Sequence, residues 1–260
     1  MSANDYSADL SLALELADAA DLITRDRFRA LDLEIVTKPD NTPVTDADRS
    51  VEKKFRDLMA NARPHDHIIG EEFGGSETKP DRYWVIDPID GTKNFLRGVP
   101  TWGTLIALVE NGEVVVGVCS APELFRRWYA AKDFGSYLVV NHEAPRKLSV
   151  SKVTSLSDAS LAYSDLAGWG DKKEKFLALT SRVWRTRGYG DYWSHMLVAE
   201  GAVDIAAEPS LALWDMAALD IIVREAGGRY SSLDGVNGPF GASGVSSNGA
   251  LHEQFLNALK

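Results

Sequence analysis

Four apolar, β-prone residues, Tyr83-Trp84-Val85-Ile86, run without a break into Asp87-Pro88-Ile89-Asp90-Gly91-Thr92. The first group reads as a buried strand and the second as a sharp turn, since Asp-Pro and Asp-Gly are turn-forming dipeptides. Such a sequence limits what the chain can become, because it puts two carboxylates, a flexible glycine and a hydroxyl at the end of a core strand. Hard cations such as Mg²⁺ take oxygen ligands, and two Asp separated by Pro-Ile can grip two neighbouring ions. Gly91 allows a phosphate close to the backbone, and Thr92 adds a hydroxyl at the same place.

Two further segments set acids beside apolar structure. Gly70-Glu71-Glu72 follows Ile68-Ile69, a second strand end with carboxylates, and Trp214-Asp215 opens an apolar helical stretch far down the chain. The position of Glu71 after a buried strand favours ligation, whereas Glu72 reads as a surface acid. Asp215 reads as an inward-pointing ligand, the alternative being a helix-terminal acid stabilised by the macrodipole.

The 260 residues are 45% hydrophobic, enough for one large or two closely packed domains. A formal net charge of −10 argues against nucleic acid or an anionic membrane as partner. No apolar run approaches the ~18 to 20 residues of a membrane span. Met1-Ser2-Ala3-Asn4-Asp5 is not a basic segment leading into an apolar one, so a cytoplasmic location is expected. Cys119 is the single cysteine, in a strand-like run, and reads as a buried, inert thiol. None of the five histidines has the His-Glu-x-x-His spacing of a zinc hydrolase, no Gly-x-Ser-x-Gly elbow is present, and Gly190 opens no dinucleotide fingerprint. His195 alone stands out by position.

Leu10, Ala13, Leu14, Ala17 and Ala20 recur at helical spacing, so a helix is expected from about Tyr6 to Leu31. Thr45 reads as an N-cap with Asp48 three residues on, a capping pattern ahead of a second helix through Val51, Phe55 and Leu58. Strands are expected at 68–69, 83–86, 104–109, 113–118, 127–131 and 137–140, with Asn111-Gly112 as a hairpin turn. This gives a largely antiparallel sheet backed by two helices. After about Asn141 strands and helices alternate: strands at 160–163, 203–207 and 244–247, and helices near 173–184, 192–201 and 214–225, with a last helix at the end. A more parallel second sheet follows. Two halves sharing an interface, 1–141 and 142–260, are therefore expected.

In chain order, Lys38-Pro39-Asp40, Pro43-Val44-Thr45-Asp46-Ala47-Asp48, Gly70-Glu71-Glu72, Asp87 to Thr92, Trp214-Asp215-Met216-Ala217 and Glu225-Ala226-Gly227-Gly228 resemble the inositol monophosphatase family. The resemblance covers nearly the whole chain. Arg185-Thr186-Arg187-Gly188-Tyr189-Gly190-Asp191, with the stretch from Ala199-Glu200-Gly201 to Pro209, is similar to the histidinol-phosphate phosphatases within it. The family implies an αβαβα sandwich with the site between the halves, a homodimer, and Mg²⁺-dependent hydrolysis of phosphate monoesters with two to three ions. It implies that Glu71, Asp87 and the Ile89 carbonyl hold one ion and that Asp87, Asp90 and Asp215 hold a second. Glu71 would hold a third, weaker ion through waters. Thr92, supported by Asp48, would orient and deprotonate the attacking water, while N–H groups around Gly91 and Thr92 bind phosphate. Lys38 reads either as a solvated lysine or as a group near the phosphate.

Substrate choice is expected where this chain departs from the broader family, at Asp191-Tyr192-Trp193, in place of the small residues of many relatives. Histidinol carries an ammonium and an imidazole that Asp191 and Glu208 can pair with. Asp215 is counted on the same wall. Arg187 either orders the neighbouring acids or is an exposed strand-end arginine. Two alternatives stay open: a phosphatase of inositol or other sugar phosphates, and a non-catalytic metal- or phosphate-binding regulator.

Overall fold

The computed structural model describes residues 5–39, 42–75 and 80–260; Asp40 of the Lys38-Pro39-Asp40 motif and residues 1–4 lie outside them. Helix α1 (Ser7–Arg27) leads through a short hairpin, β1 (Ile35–Thr37) and β2 (Pro43–Thr45), into α2 (Asp46–Ala62). A seven-stranded sheet follows in the order β3 (His67–Gly70), β4 (Arg82–Asp90), β5 (Gly103–Glu110), β6 (Glu113–Ala121), β7 (Arg126–Ala131), β8 (Gly135–Val140) and β9 (Arg146–Lys147). The short helix α3 (Thr92–Leu96) follows β4. Only β3 and β4 pair in parallel there. The rest of the chain forms β10 (Ser160–Tyr163), α4 (Lys173–Thr180), β11 (Arg185–Arg187), α5 (Asp191–Ala199), β12 (Ile205–Glu208), α6 (Leu213–Glu225), β13 (Arg229–Ser231), β14 (Gly244–Ser247) and α7 (His252–Ala258). Its five strands lie in the order β11-β10-β12-β14-β13, parallel around β10 and antiparallel around β14.

Hydrophobic patterning stacks these elements into the expected αβαβα sandwich. Trp84, Ile86, Ile106 and Leu108 face α1 and α2 through Leu10, Ala17, Phe55 and Met59. The alternate residues Tyr83, Val85, Leu105 and Ala107 face Met196, Val198, Ile221 and Ile222 of α5 and α6, with Ala206 of β12 in the same cluster. Both faces of β4 are thus covered, which is why its sequence is continuously apolar rather than alternating. Beyond the second sheet, Leu161, Ile205 and Val245 pack on Phe176 of α4 and Phe255 of α7. Gly117 marks how tightly α6 presses on β6: a Cβ there would lie 2.5 Å from Ile221 and 2.8 Å from the Ala218 carbonyl.

The differences from expectation have local causes. Helix α1 stops at Arg27, because Phe28 turns extended and Arg29 is left-handed at φ 62°. Helix α4 stops at Thr180, and Trp184 beyond it is 67% exposed, so no buried face carries the helix further. The segment after Ile86 is not a turn but a continuation of β4. Asp87 pairs with Leu105 and Asp90 with Gly103, so one extra residue bulges between them. Pro88 has no N–H for the ladder, and its carbonyl instead accepts from the Thr104 hydroxyl at 2.8 Å. Asn111 and Gly112, at φ 51° and 77°, form the tight hairpin turn between β5 and β6.

Candidate active site

The β4 bulge brings its two aspartates to the N-terminal ends of α5 and α6. One oxygen of each carboxylate is fixed by a backbone N–H. Asp87 Oδ1 accepts from Ile89 at 3.0 Å, Asp90 Oδ2 from Tyr192 at 2.7 Å, and Asp215 Oδ2 from Ala212 at 2.7 Å. Tyr192 lies in the first turn of α5, and Asp215 in that of α6, so both helix dipoles favour negative charge here. Ligand oxygens of Asp87, Asp90 and Asp215 lie within 4.8 Å of one another.

Burial, followed by the charges of Glu71, Asp90 and Asp215, holds Asp87 well above the ordinary carboxylate range. Asp90 is likewise raised by burial and then by Asp191 and Asp215. Burial also lifts Asp215 to about 7, although the Ala212 N–H pulls the other way. One buried and two half-buried carboxylates this close are electrostatically poor without a cation, and their hard oxygens suit Mg²⁺ or a similar ion. The donor set therefore fits a divalent metal.

Glu71 stands at the end of β3, where its N–H meets the Ile86 carbonyl of the parallel strand β4 at 3.3 Å. Its Oε1 accepts from Lys38 Nζ at 2.7 Å, and the same ammonium reaches Glu72 Oε1 at 2.6 Å. Glu72 is therefore not the surface acid its sequence position implied: its side chain is 4% exposed, drawn in by Lys38 and by its own N–H on Glu52 at 2.8 Å. Burial alone would lower the Lys38 ammonium, but its bonds to both glutamates more than offset that and hold it above the ordinary lysine range. Lys38 is a bridge between acids rather than a solvated lysine.

Gly91, at φ 84°, turns the chain from the bulge into α3. A Cβ there would lie 3.0 Å from the Thr101 carbonyl and 3.2 Å from Asp191, so glycine suits both the conformation and the space. The Thr92 hydroxyl donates to the Ile89 carbonyl at 3.0 Å. Asp48 forms the capping box of α2: its Oδ2 accepts from the Thr45 N–H at 2.8 Å and from the Thr45 hydroxyl at 2.6 Å. Its other oxygen is buried without a partner, and burial raises the carboxyl to about 7.

A cavity of about 450 Å³ gathers Glu71, Asp87, Ile89, Asp90, Gly91, Thr92, Asp191, Glu208 and Asp215 along its wall. Asp191, at φ 49°, accepts from Asn94 Nδ2 at 2.9 Å; burial and then Glu208 push it up to about 7. Glu208 ends β12, with Oε1 3.2 Å from His195 Nε2. Asp48 and Arg187 do not line the cavity. Arg187 is exposed on β11, its guanidinium on the carbonyl of Thr186 at 2.7 Å. Asn94, which holds Asp191, and Lys93, which also lines the cavity, were not expected from the sequence. Their place immediately after Thr92 was the available signal.

The sandwich thus sets an acid cluster that could hold a divalent metal on a bulged strand, with two helix N-termini beside it. The chain belongs to the inositol monophosphatase family, whose model matches residues 5–260. It is 59% identical over 253 residues to a histidinol-phosphatase of Mycobacterium tuberculosis, covering 96% of this chain and 97% of that one. A histidinol-phosphatase of Streptomyces coelicolor is 55% identical over 261 residues, with 98% of each chain covered. Among solved structures, an inositol monophosphatase from Zymomonas mobilis superposes with a TM-score of 0.85 at 34% identity, covering 99% of both chains. Among the described residues no helix is long and apolar enough to cross a membrane.

Proposed function

We propose that this protein is a Mg²⁺-dependent phosphate monoester hydrolase whose substrate is L-histidinol phosphate, cleaved by water to L-histidinol and phosphate. The observation that carries the reading is the sharing of one cavity by the Asp87-Asp90-Asp215 cluster and the acidic pair Asp191 and Glu208. The names of the two histidinol-phosphatase relatives support the same substrate.

Glu71, Asp87, Asp215, Asp90 and the Ile89 carbonyl would hold two or three Mg²⁺ ions. When bound, they supply Lewis-acid shielding of phosphoryl charge and make water a better nucleophile. On this reading the Thr92 hydroxyl leaves the Ile89 carbonyl, takes a proton from the attacking water and gives its own to Asp48, whose second buried oxygen has no partner. N–H groups around Gly91 and Thr92 take the phosphate oxygens. Asp191 and Glu208 receive the ammonium and imidazole through charge-assisted hydrogen bonds, which a neutral polyol does not offer. On this reading residues 1–141 supply most metal ligands, and residues 142–260 supply Asp215 and the selecting wall. A cytoplasmic homodimer is part of the proposal.

Phosphate release measured across histidinol phosphate, inositol 1-phosphate and simple sugar phosphates tests it, with Mg²⁺ and with EDTA. The expected result is Mg²⁺-dependent release with the highest kcat/KM on histidinol phosphate. A preference for inositol phosphate would overturn the substrate, and release untouched by EDTA would overturn the metal.

A further inference from the structure

Behind the acidic wall lies a buried polar chain that the hydrolytic machinery does not use. His195, on α5, is fully buried, with Nδ1 2.6 Å from Ser246 Oγ on β14 and Nε2 3.2 Å from Glu208 Oε1 on β12. With a carboxylate at Glu208 and a neutral ring, Nε2 carries the ring hydrogen and Nδ1 accepts from the Ser246 hydroxyl. Ser246 is itself fully buried and stands opposite Ala206 in the β12–β14 register. Glu208 thus sets the tautomer, and the Ser246 hydroxyl, which can donate or accept, completes the ring's second hydrogen bond and holds its orientation.

Tyr230 closes the same compartment. Its ring centroid is 5.8 Å from that of His195, and its hydroxyl is buried without a partner. A Cβ on Gly244 would lie 2.4 Å from that hydroxyl, and Gly244 is the residue paired with Glu208 across the strands. Glycine therefore leaves room for the tyrosine directly behind Glu208. A polar compartment of this kind in a core built from Met196, Ala206 and Ile222 is not needed for packing, since apolar groups of similar volume pack as well without desolvation penalties.

We propose that Ser246 and His195 form a positioning relay that fixes Glu208 as an oriented, negatively charged acceptor, making His195 a determinant of selectivity for an amine-bearing alcohol phosphate. The relay rests on the reading of Glu208 as part of the substrate wall. Its logic is geometric: Glu208 shares the cavity with Asp90, Asp191 and Asp215, and the ring behind it, 3.2 Å from Oε1, limits how the carboxylate can turn. A rotated Glu208 would still fill space but would no longer meet the cation.

The test compares KM and kcat for histidinol phosphate and inositol 1-phosphate in E208Q, H195M, H195Q and S246A, each checked for folding by circular dichroism. H195M keeps volume but removes the donor. It should raise KM for histidinol phosphate about tenfold with kcat within about threefold, while KM for inositol 1-phosphate moves much less. The H195Q amide keeps a donor near Nε2 and should restore most of the ratio. S246A should shift the ratio in the same direction by a smaller factor, and it serves as the deciding variant if H195M does not fold. If E208Q changes the ratio while H195M and S246A leave it at the parent value, the relay is wrong and the wall stands. If E208Q itself leaves the ratio unchanged, the reading of Glu208 fails and the relay falls with it.

Discussion

Replacing Asp215 by asparagine should make the metal-free protein more stable and the enzyme nearly inactive. Burial, with Glu71 and Glu208 nearby, pushes the Asp215 carboxyl up to about 7, against about 3.9 in an unfolded chain. Between about pH 4 and pH 7 the native state therefore holds a proton that the unfolded chain has lost, so stability falls as pH rises through that window. Multiplying the difference of about 3 pH units by about 1.36 kcal/mol gives a penalty on the order of 4 kcal/mol at pH 8. Asparagine keeps an oxygen for the Ala212 N–H and removes the charge. In EDTA at pH 8 the variant should melt about 5 to 10 °C above the parent. At pH 5 the penalty, and with it the gain, shrinks to about 1.5 kcal/mol.

Mg²⁺ should reverse the order. An ion at about 1,000 times its Kd stabilises the parent by about 4.1 kcal/mol, which offsets the penalty, and each further ion adds to it. The variant, short of one ligand, should respond far less, and its phosphate release should fall by orders of magnitude. Thermal melts in EDTA and in Mg²⁺ at pH 5 and pH 8 check all of this. A metal-free variant that melts at or below the parent at pH 8, or a difference that does not shrink at pH 5, would refute the electrostatic reasoning.

Thr92→Ala should lower kcat by about 10² to 10⁴ with KM within a few-fold, because a water-orienting group acts chiefly in the transition state; steady-state kinetics decide it. Asp48→Asn should behave similarly, whereas a loss of about 1 kcal/mol in stability with normal turnover per folded molecule would leave Asp48 only its capping role. Asp191→Ala should weaken histidinol phosphate by ~1.5 to 3 kcal/mol and inositol 1-phosphate much less. Equal losses in kcat/KM on both substrates would make Asp191 structural.

The core was legible where one residue type has one use. Trp84 and Ile86 on one face, and Tyr83 and Val85 on the other, gave β4 its burial on both sides, and Asn111-Gly112 its hairpin. The bulge was not legible: Asp-Pro-Ile-Asp-Gly carries the same dipeptides in a turn as in a strand, and the choice depends on Leu105 and Gly103 offering a partner edge. Glu72 was misread for a related reason, since its burial comes from Lys38 and Glu52, far away in sequence. Local pattern reports which residues are apolar, not which distant cation an acid will find.

The same long-range contacts couple the acid cluster to the wall. Asp90, from β4, accepts the N–H of Tyr192 in the first turn of α5, and the residue before Tyr192 is Asp191. Asp191 is held in turn by Asn94, two residues beyond Thr92 in α3. Its left-handed backbone, at φ 49°, is strained for an aspartate and persists because both neighbours hold it. The start of α5 is thus pinned by a proposed metal ligand on one side and by α3 on the other. A change at Asp90 should consequently move Asp191 as well, so substitution of this one carboxylate should alter substrate preference along with metal response. Asp215, anchored on Ala212 at the start of a different helix, holds neither Asp191 nor the start of α5 in the hydrogen bonds described, so its substitution should lower activity on every phosphate monoester and shift preference less than a change at Asp90.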